Sequence, residues 1–153
     1  MSKIITDRET LKEMFHHFET IHIALHNGEY PYIVPMNYGI EEEEEDIVLY
    51  IYSPRLGKMD ELIQKDPHVG VQAEMLYKYY GTPHKTISCS YTSIMGKGII
   101  ETLPQDQYQK AMEAILVHCG YETYPYDQDY INTCHMYKIT VHDASGKIHL
   151  KGV

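Results

Sequence analysis

Tryptophan is absent from this chain and phenylalanine occurs only twice. Its aromatic surface therefore rests on 15 tyrosines, each able to bury a ring while keeping a hydrogen-bonding tip. That suits strands, interfaces and flat aromatic ligands alike, with core and interface duty the commoner use. Cys89, Cys119 and Cys134 are odd in number and lack C-x-x-C spacing. This favours reduced thiols over a disulfide framework. Cations are scarce: 13 Lys and Arg stand against 22 Asp and Glu, a net charge of −9. Such a balance excludes a broad nucleic-acid face, which must neutralise many phosphates. It does not exclude a local basic pocket holding one. Long apolar runs are also missing, and the Met-Ser-Lys start leads into a polar helix rather than a signal peptide. The expectation is a cytoplasmic protein with no membrane partner.

Several catalytic signatures are absent. There is no G-x-S-x-G elbow, no G-x-G-x-x-G dinucleotide turn and no P-loop, so a nucleotide cofactor would have to bind without those cradles. The ten histidines do not form a ligand set. His16 and His17 point to different sides of a helix, and His22 and His26 share a strand face about 13 Å apart. His118-Cys119 and Cys134-His135 have nothing that fixes them together. No metal is expected.

What remains is an ordinary globular composition of 153 residues, 43% apolar and 23% charged, enough for one domain spanning 1–153. Thr6-Asp7-Arg8-Glu9 reads as a capping box with Thr6 as N-cap. The helix it opens carries Leu11, Met14, Phe15 and Phe18 on one face, suited to covering an open part of a barrel. Ile21, Ile23 and Leu25 alternate with His22, Ala24 and His26, and Asn27-Gly28 predicts a two-residue hairpin turn. Pro31 to Ile40 reads as one strand, and its two prolines place it at an edge. The six acids Glu41 to Asp46 read as a solvated turn with no chemistry. Ile47 to Tyr52 is apolar on both faces, a buried strand.

A loop, Ser53-Pro54-Arg55-Leu56-Gly57-Lys58, then hands this strand to a helix at about 58–65, which Asp66-Pro67 ends. The loop sets one hydroxyl and two cations around a glycine at a helix start. There, unpaired amides and the helix dipole favour an anion such as phosphate; a plain basic turn is the alternative. His68 to Met75 is a half-buried strand and Leu76 to His84 a tyrosine-rich loop. Lys85 to Glu101 reads as a long strand or bent pair, with Gly96 and Gly98 at a bulge or close approach. A second capping box at Thr102 opens a helix to Cys119, stopped by Gly120. Residues 121–134 read as loop, Tyr137 to Val141 as a strand, and Lys147 to Lys151 as a last strand after a turn at 143–146. Strands outnumber helices, giving a mainly β, mostly antiparallel sheet or barrel with three helices outside.

Four segments carry a resemblance: NGEYPYIVPMNYG (27–39), LYIYSPRLGKMDELIQKDPHVGVQ (49–72), SYTSIMGKGIIE (90–101) and the helix that follows. In order and spacing the chain resembles the pyridoxamine 5'-phosphate oxidase-like flavoproteins, in the branch of the 5-nitroimidazole-resistance proteins. The resemblance implies an antiparallel split β-barrel that forms a homodimer and holds FMN at the dimer interface. Ser53, Arg55, Gly57 and Lys58 would meet the phosphate. Pro35, Met36, Asn37 and Tyr38 would wall the ring, and Ser93 with the backbone of Ile94 and Met95 would approach from the second half of the barrel. Tyr52 stands where that branch commonly has His; it hydrogen-bonds but does not titrate near neutrality. No catalytic residue is assigned. The expected activity is transfer of electrons or hydride from FMN to a small acceptor. The alternatives are a non-enzymatic flavin-binding or redox-sensing protein, and a haem-binding relative of the barrel.

Overall fold

The structure is a computed structural model that describes residues 2–151. Eight strands and four helices follow the order β1 (Lys3–Ile5), α1 (Arg8–Phe15), β2 (Ile21–Leu25), β3 (Tyr32–Met36), β4 (Gly39–Ile40), β5 (Ile47–Ser53), α2 (Lys58–Lys65), β6 (His68–Gly81), β7 (Ile87–Thr102), α3 (Tyr108–Cys119), α4 (Gln128–Asn132) and β8 (His135–His149). One antiparallel sheet runs β3-β2-β6-β7-β8-β5-β4, with β1 added to β8. This is the expected mainly antiparallel split barrel. The segment from Pro31 to Ile40 is not one strand, however: β3, which contains Pro35, lies at one edge of the sheet and β4 at the other, with Pro31 outside both.

β5 shows how the layers are made. Ile47, Leu49 and Ile51 face the barrel interior with Ile21, Ile23, Val69, Val71, Ile94 and Ile139. Val48 and Tyr50, pointing the other way, meet Ala111, Met112 and Ile115 of α3. A strand apolar on both faces thus serves two cores. Helix α1 lies on β8, where Gly146 leaves room for Met14: a Cβ there would sit 2.7 Å from the Met14 sulfur. The close approaches expected at Gly96 and Gly98 are present, facing Val141 and the Thr140 carbonyl, and the β7–β8 register shifts between Lys97 and Gly98.

Several expectations are corrected. Asp7, not Thr6, caps α1, its carboxylate accepting the Thr10 amide at 2.9 Å. Asn27-Gly28 lies in a six-residue connection between Leu25 and Tyr32, with only Gly28 of the two at positive φ (64°). The segment read as a loop from Leu76 to His84 instead extends β6 to Gly81, paired with β7 as far as Ile87. Its Tyr and Lys side chains describe an exposed ladder, and the pairing comes from a distant strand. Likewise β8 runs unbroken through 143–146, because β7 pairs along the whole stretch and β1 joins the other edge at Gly146. Residues 121–134 contain α4, so four helices replace three. At Thr102 no capping box forms; a 3-10 turn (Gln105–Gln107) precedes α3. Gly120 does stop that helix, at φ 79°.

The acidic run is not all solvated. Glu41 is buried at 3% exposure. Its Oε2 accepts the Tyr50 hydroxyl at 2.6 Å and pairs with the Lys110 ammonium at 2.9 Å. The Glu43 amide reaches its other oxygen. Burial alone would raise this carboxyl, but donation from Tyr50, Lys110 and Glu43 outweighs it and holds the group below its ordinary value of 4.5. A depressed folded pKa contributes stability that is present above the unfolded value and is lost as pH falls through the folded one. Glu41→Gln is therefore expected to lower Tm at pH 7 by several degrees. The gap from the wild type should close as pH falls below about 4.5. Thermal scans from pH 7 to pH 3 test this; a gap that widens in acid contradicts it.

Candidate functional site

The break between β3 and β4 creates the site. At Tyr38 the chain turns its side chain inward: the ring is wholly buried and its hydroxyl donates to the Phe15 carbonyl and, at 2.8 Å, to that of Phe18. Burial raises this phenol far above its ordinary value. Tyr38 is therefore a core tether rather than a wall of a ring slot. Just before it Pro35 and Asn37 are exposed, while Met36 is half-buried and packs partly against the core. Pro35, Met36 and Asn37 join Tyr52 at the end of β5 in an open cleft of about 390 Å3, with Thr20 and Pro54. Tyr52 is half-buried, and burial, with smaller contributions from Cys134, Tyr130 and Cys119, raises its phenol. It stays protonated across the neutral range and can donate a hydrogen bond into the cleft. Thr20 and Pro54 were not singled out in the sequence. Only Pro54, the second residue of the cationic loop, carries a signal.

That loop adjoins the cleft through Pro54. Arg55, Gly57 and Lys58 are exposed. Ser53 is half-buried, and its hydroxyl donates to the Arg55 carbonyl at 2.6 Å, clamping the turn. Helix α2 starts at Lys58, so the Lys58 and Met59 amides have no acceptor within the helix. The result is an outward-facing helix start with two cations beside it, the arrangement that holds phosphate. Asp60, overlooked in the sequence, lies beneath. Its carboxylate accepts the Gly57 amide at 2.7 Å and the Tyr137 hydroxyl. The Gly-x-x-Asp spacing at a helix start could have found it.

Ser93, Ile94 and Met95 are not brought to this cleft within one chain. Ile94 is a core residue, 1% exposed, while Ser93 and Met95 face the opposite side of β7. Register places Pro35, His22, Gln72 and Met95 in one cross-strand row. Pro35 and Met95 are thus three strand spacings apart, about 14 Å. Between them an apolar trough of about 460 Å3 is floored by Ala24 and Gly70 and edged by Ile33 and Met95. A larger concavity, about 800 Å3, lies elsewhere, between α1 and the acidic loop. There Arg8 pairs with Asp46, and Lys12 donates to the Glu44 carbonyl. With its cations engaged and Glu9, Glu44, Glu45 and Asp143 in its wall, it does not suit an anion.

A mainly antiparallel split barrel with flanking helices defines a recognisable class. The family model for pyridoxamine 5'-phosphate oxidase matches residues 7–148, and the chain belongs to that family. No curated protein matches the sequence. Among solved structures, a candidate 5-nitroimidazole antibiotic resistance protein from Bacteroides thetaiotaomicron is similar at 22% identity, with a TM-score of 0.78 over 97% of this chain and 89% of that one. An FAD-binding protein from Mesorhizobium loti aligns at 18% identity and TM-score 0.68, covering 98% and 99% of the two chains. An FAD and haem binding protein from Mycobacterium smegmatis aligns at 15% and 0.77, covering 97% and 74%. At these identities the structural likeness speaks to the fold.

Proposed function

We propose that this protein binds FMN as a homodimer and transfers electrons or hydride to a small acceptor. The observation that carries the reading is the junction of two features at Pro54. On one side is the cleft walled by Pro35, Met36, Asn37 and Tyr52; on the other is the helix start flanked by Arg55 and Lys58. The cleft offers flat walls for an isoalloxazine, and Asn37 and the Tyr52 hydroxyl offer polar contacts at its edge. The Lys58 ammonium and the Lys58 and Met59 amides offer charge-assisted hydrogen bonds to a phosphate. Bound flavin would supply the redox chemistry; the residues bind it, orient it and set its polar surroundings. One short cationic loop suits the single phosphate of FMN. The FAD-binding neighbours make FAD the natural comparison in a titration.

The dimer is favoured by the exposed apolar face. Ile33 and Met95 are each 64% exposed beside the trough, and Tyr79 and Ile87 are exposed further along β6 and β7. Such a face needs covering. A second copy packed on it would also carry Ser93 and Met95 towards the cleft that they cannot reach in their own chain. Light scattering should give twice the chain mass of 17.8 kDa. Met95→Glu should convert the dimer to monomer and weaken FMN binding at least tenfold. A monomeric wild type, with and without FMN, would remove the dimer.

The absorption spectrum of protein purified without added cofactor separates flavin from haem. Turnover of NAD(P)H with assorted acceptors then separates an enzyme from a carrier or sensor. Catalytic consumption of an acceptor supports the oxidoreductase; flavin that is bound and reduced without turnover supports the sensor.

A further inference from the structure

Asp60 stands in the first turn of α2 at 5% exposure. Among the described residues no cation pairs with it; its partners are two neutral donors, the Gly57 amide on Oδ2 and the Tyr137 hydroxyl on Oδ1. Tyr137 is 2% exposed and sits on β8 opposite Ile51 of β5, so the brace is anchored in the barrel itself. Burial, the bond to Asp60 and the charge of Asp60 all raise the Tyr137 phenol, which therefore remains a donor. A buried carboxylate without a cation is unfavourable unless hydrogen bonds hold it. Next to a phosphate it is doubly so, because it adds a like charge. What the residue contributes at this place is geometric.

We propose that Asp60, braced by Tyr137, is a positioning residue for the flavin phosphate. It draws the Gly57 amide inward and so turns the Lys58 and Met59 amides and the Lys58 side chain towards the ligand. This rests on the reading of the loop as an FMN phosphate cradle. Preorganised donors bind more tightly than the same donors on a mobile loop, because ordering is not charged to binding.

The test compares FMN and riboflavin titrations of wild type, Asp60→Ala, Asp60→Asn and Tyr137→Phe, with amide hydrogen exchange on the flavin-free proteins. Asn keeps an oxygen for the Gly57 amide. Asp60→Ala should lose about tenfold in FMN affinity, near 1.4 kcal/mol, with riboflavin unchanged. Asp60→Asn should stay within about threefold, and Tyr137→Phe should lose about threefold for FMN alone. Exchange at Gly57 should accelerate in Asp60→Ala and stay slow in Asp60→Asn, with Leu62 to Lys65 protected in both. If Asp60→Ala does not fold, Tyr137→Phe decides: an unchanged FMN affinity overturns the proposal. FMN binding that is unchanged or tighter in Asp60→Ala overturns it too, since charge repulsion would then outweigh geometry. So does a parallel loss of both ligands. A wild type that binds FMN no better than riboflavin sinks the cradle and this role together. A wild type that prefers FMN, with the preference intact in Asp60→Ala, leaves the cradle standing and removes Asp60.

Discussion

Replacing Lys58 by alanine is expected to weaken FMN binding ten- to hundredfold and to leave riboflavin binding unchanged. A charge-assisted hydrogen bond to phosphate contributes about 1.5–3 kcal/mol, and about 1.4 kcal/mol is one decade in dissociation constant. Riboflavin has no phosphate, so the contact does not exist for it. Folding should be nearly unaffected, because Lys58 is exposed and its side chain makes no hydrogen bond or ion pair among the described residues. A cation at the positive end of a helix dipole is mildly unfavourable without an anion. The flavin-free variant should therefore be as stable as the wild type or slightly more so. Fluorescence titration of both ligands against both proteins reads the effect. Equal losses for FMN and riboflavin would show that Lys58 acts through structure. Equal FMN affinity in both proteins would take it out of the site.

Gly39→Ala is expected to destabilise the protein by about 3 kcal/mol, the upper end for a residue forced into a filled space. A Cβ at Gly39 would lie 2.4 Å from the Ile115 amide nitrogen and 2.5 Å from the Ala114 carbonyl carbon. Both belong to the backbone of α3, so no side chain can swing away; the helix must move off β4. For a chain of this size that corresponds to a fall in Tm of roughly 10 °C. Gly81→Ala is the control, because a Cβ there meets nothing within 4 Å. It should change Tm by no more than a degree or two. Thermal unfolding followed by circular dichroism compares the two variants. A Gly39→Ala protein as stable as Gly81→Ala would mean that α3 does not pack on β4 as described.

The central unit, β5 to β6, was legible because its signals are local. Ile47 to Tyr52 is apolar on both faces, Met59, Leu62 and Ile63 have helical spacing, and Asp66-Pro67 is a stop. The cationic loop between them fell into place with those boundaries. Tyr38 reads as a ring wall in the sequence, but its place is decided by the carbonyls of Phe15 and Phe18, some twenty residues earlier. Nothing near Tyr38 in sequence announces that partnership. The strand extensions at Leu76–Gly81 and Asp143–Gly146 were missed for a related reason. The Tyr and Gly content of the first and the Asp, Ser and Gly of the second resemble loops, while their pairing is dictated by β7, and at Gly146 also by β1, from elsewhere in the chain. Glu41 looked like one more solvated acid until Tyr50 and Lys110 closed on it. Ser93 and Met95 illustrate a different limit. Their place in the barrel is fixed by register, but whether they meet a ligand depends on a second copy of the chain.

The central claim is that the cleft and the loop together hold a flavin through its phosphate. It is tested most directly by titrating the flavin-free wild-type protein with FMN and with riboflavin, following flavin fluorescence at equal ionic strength. The account predicts saturation at one FMN per chain, with FMN bound at least tenfold more tightly than riboflavin. Equal affinity for the two flavins, or no binding of either, would contradict it.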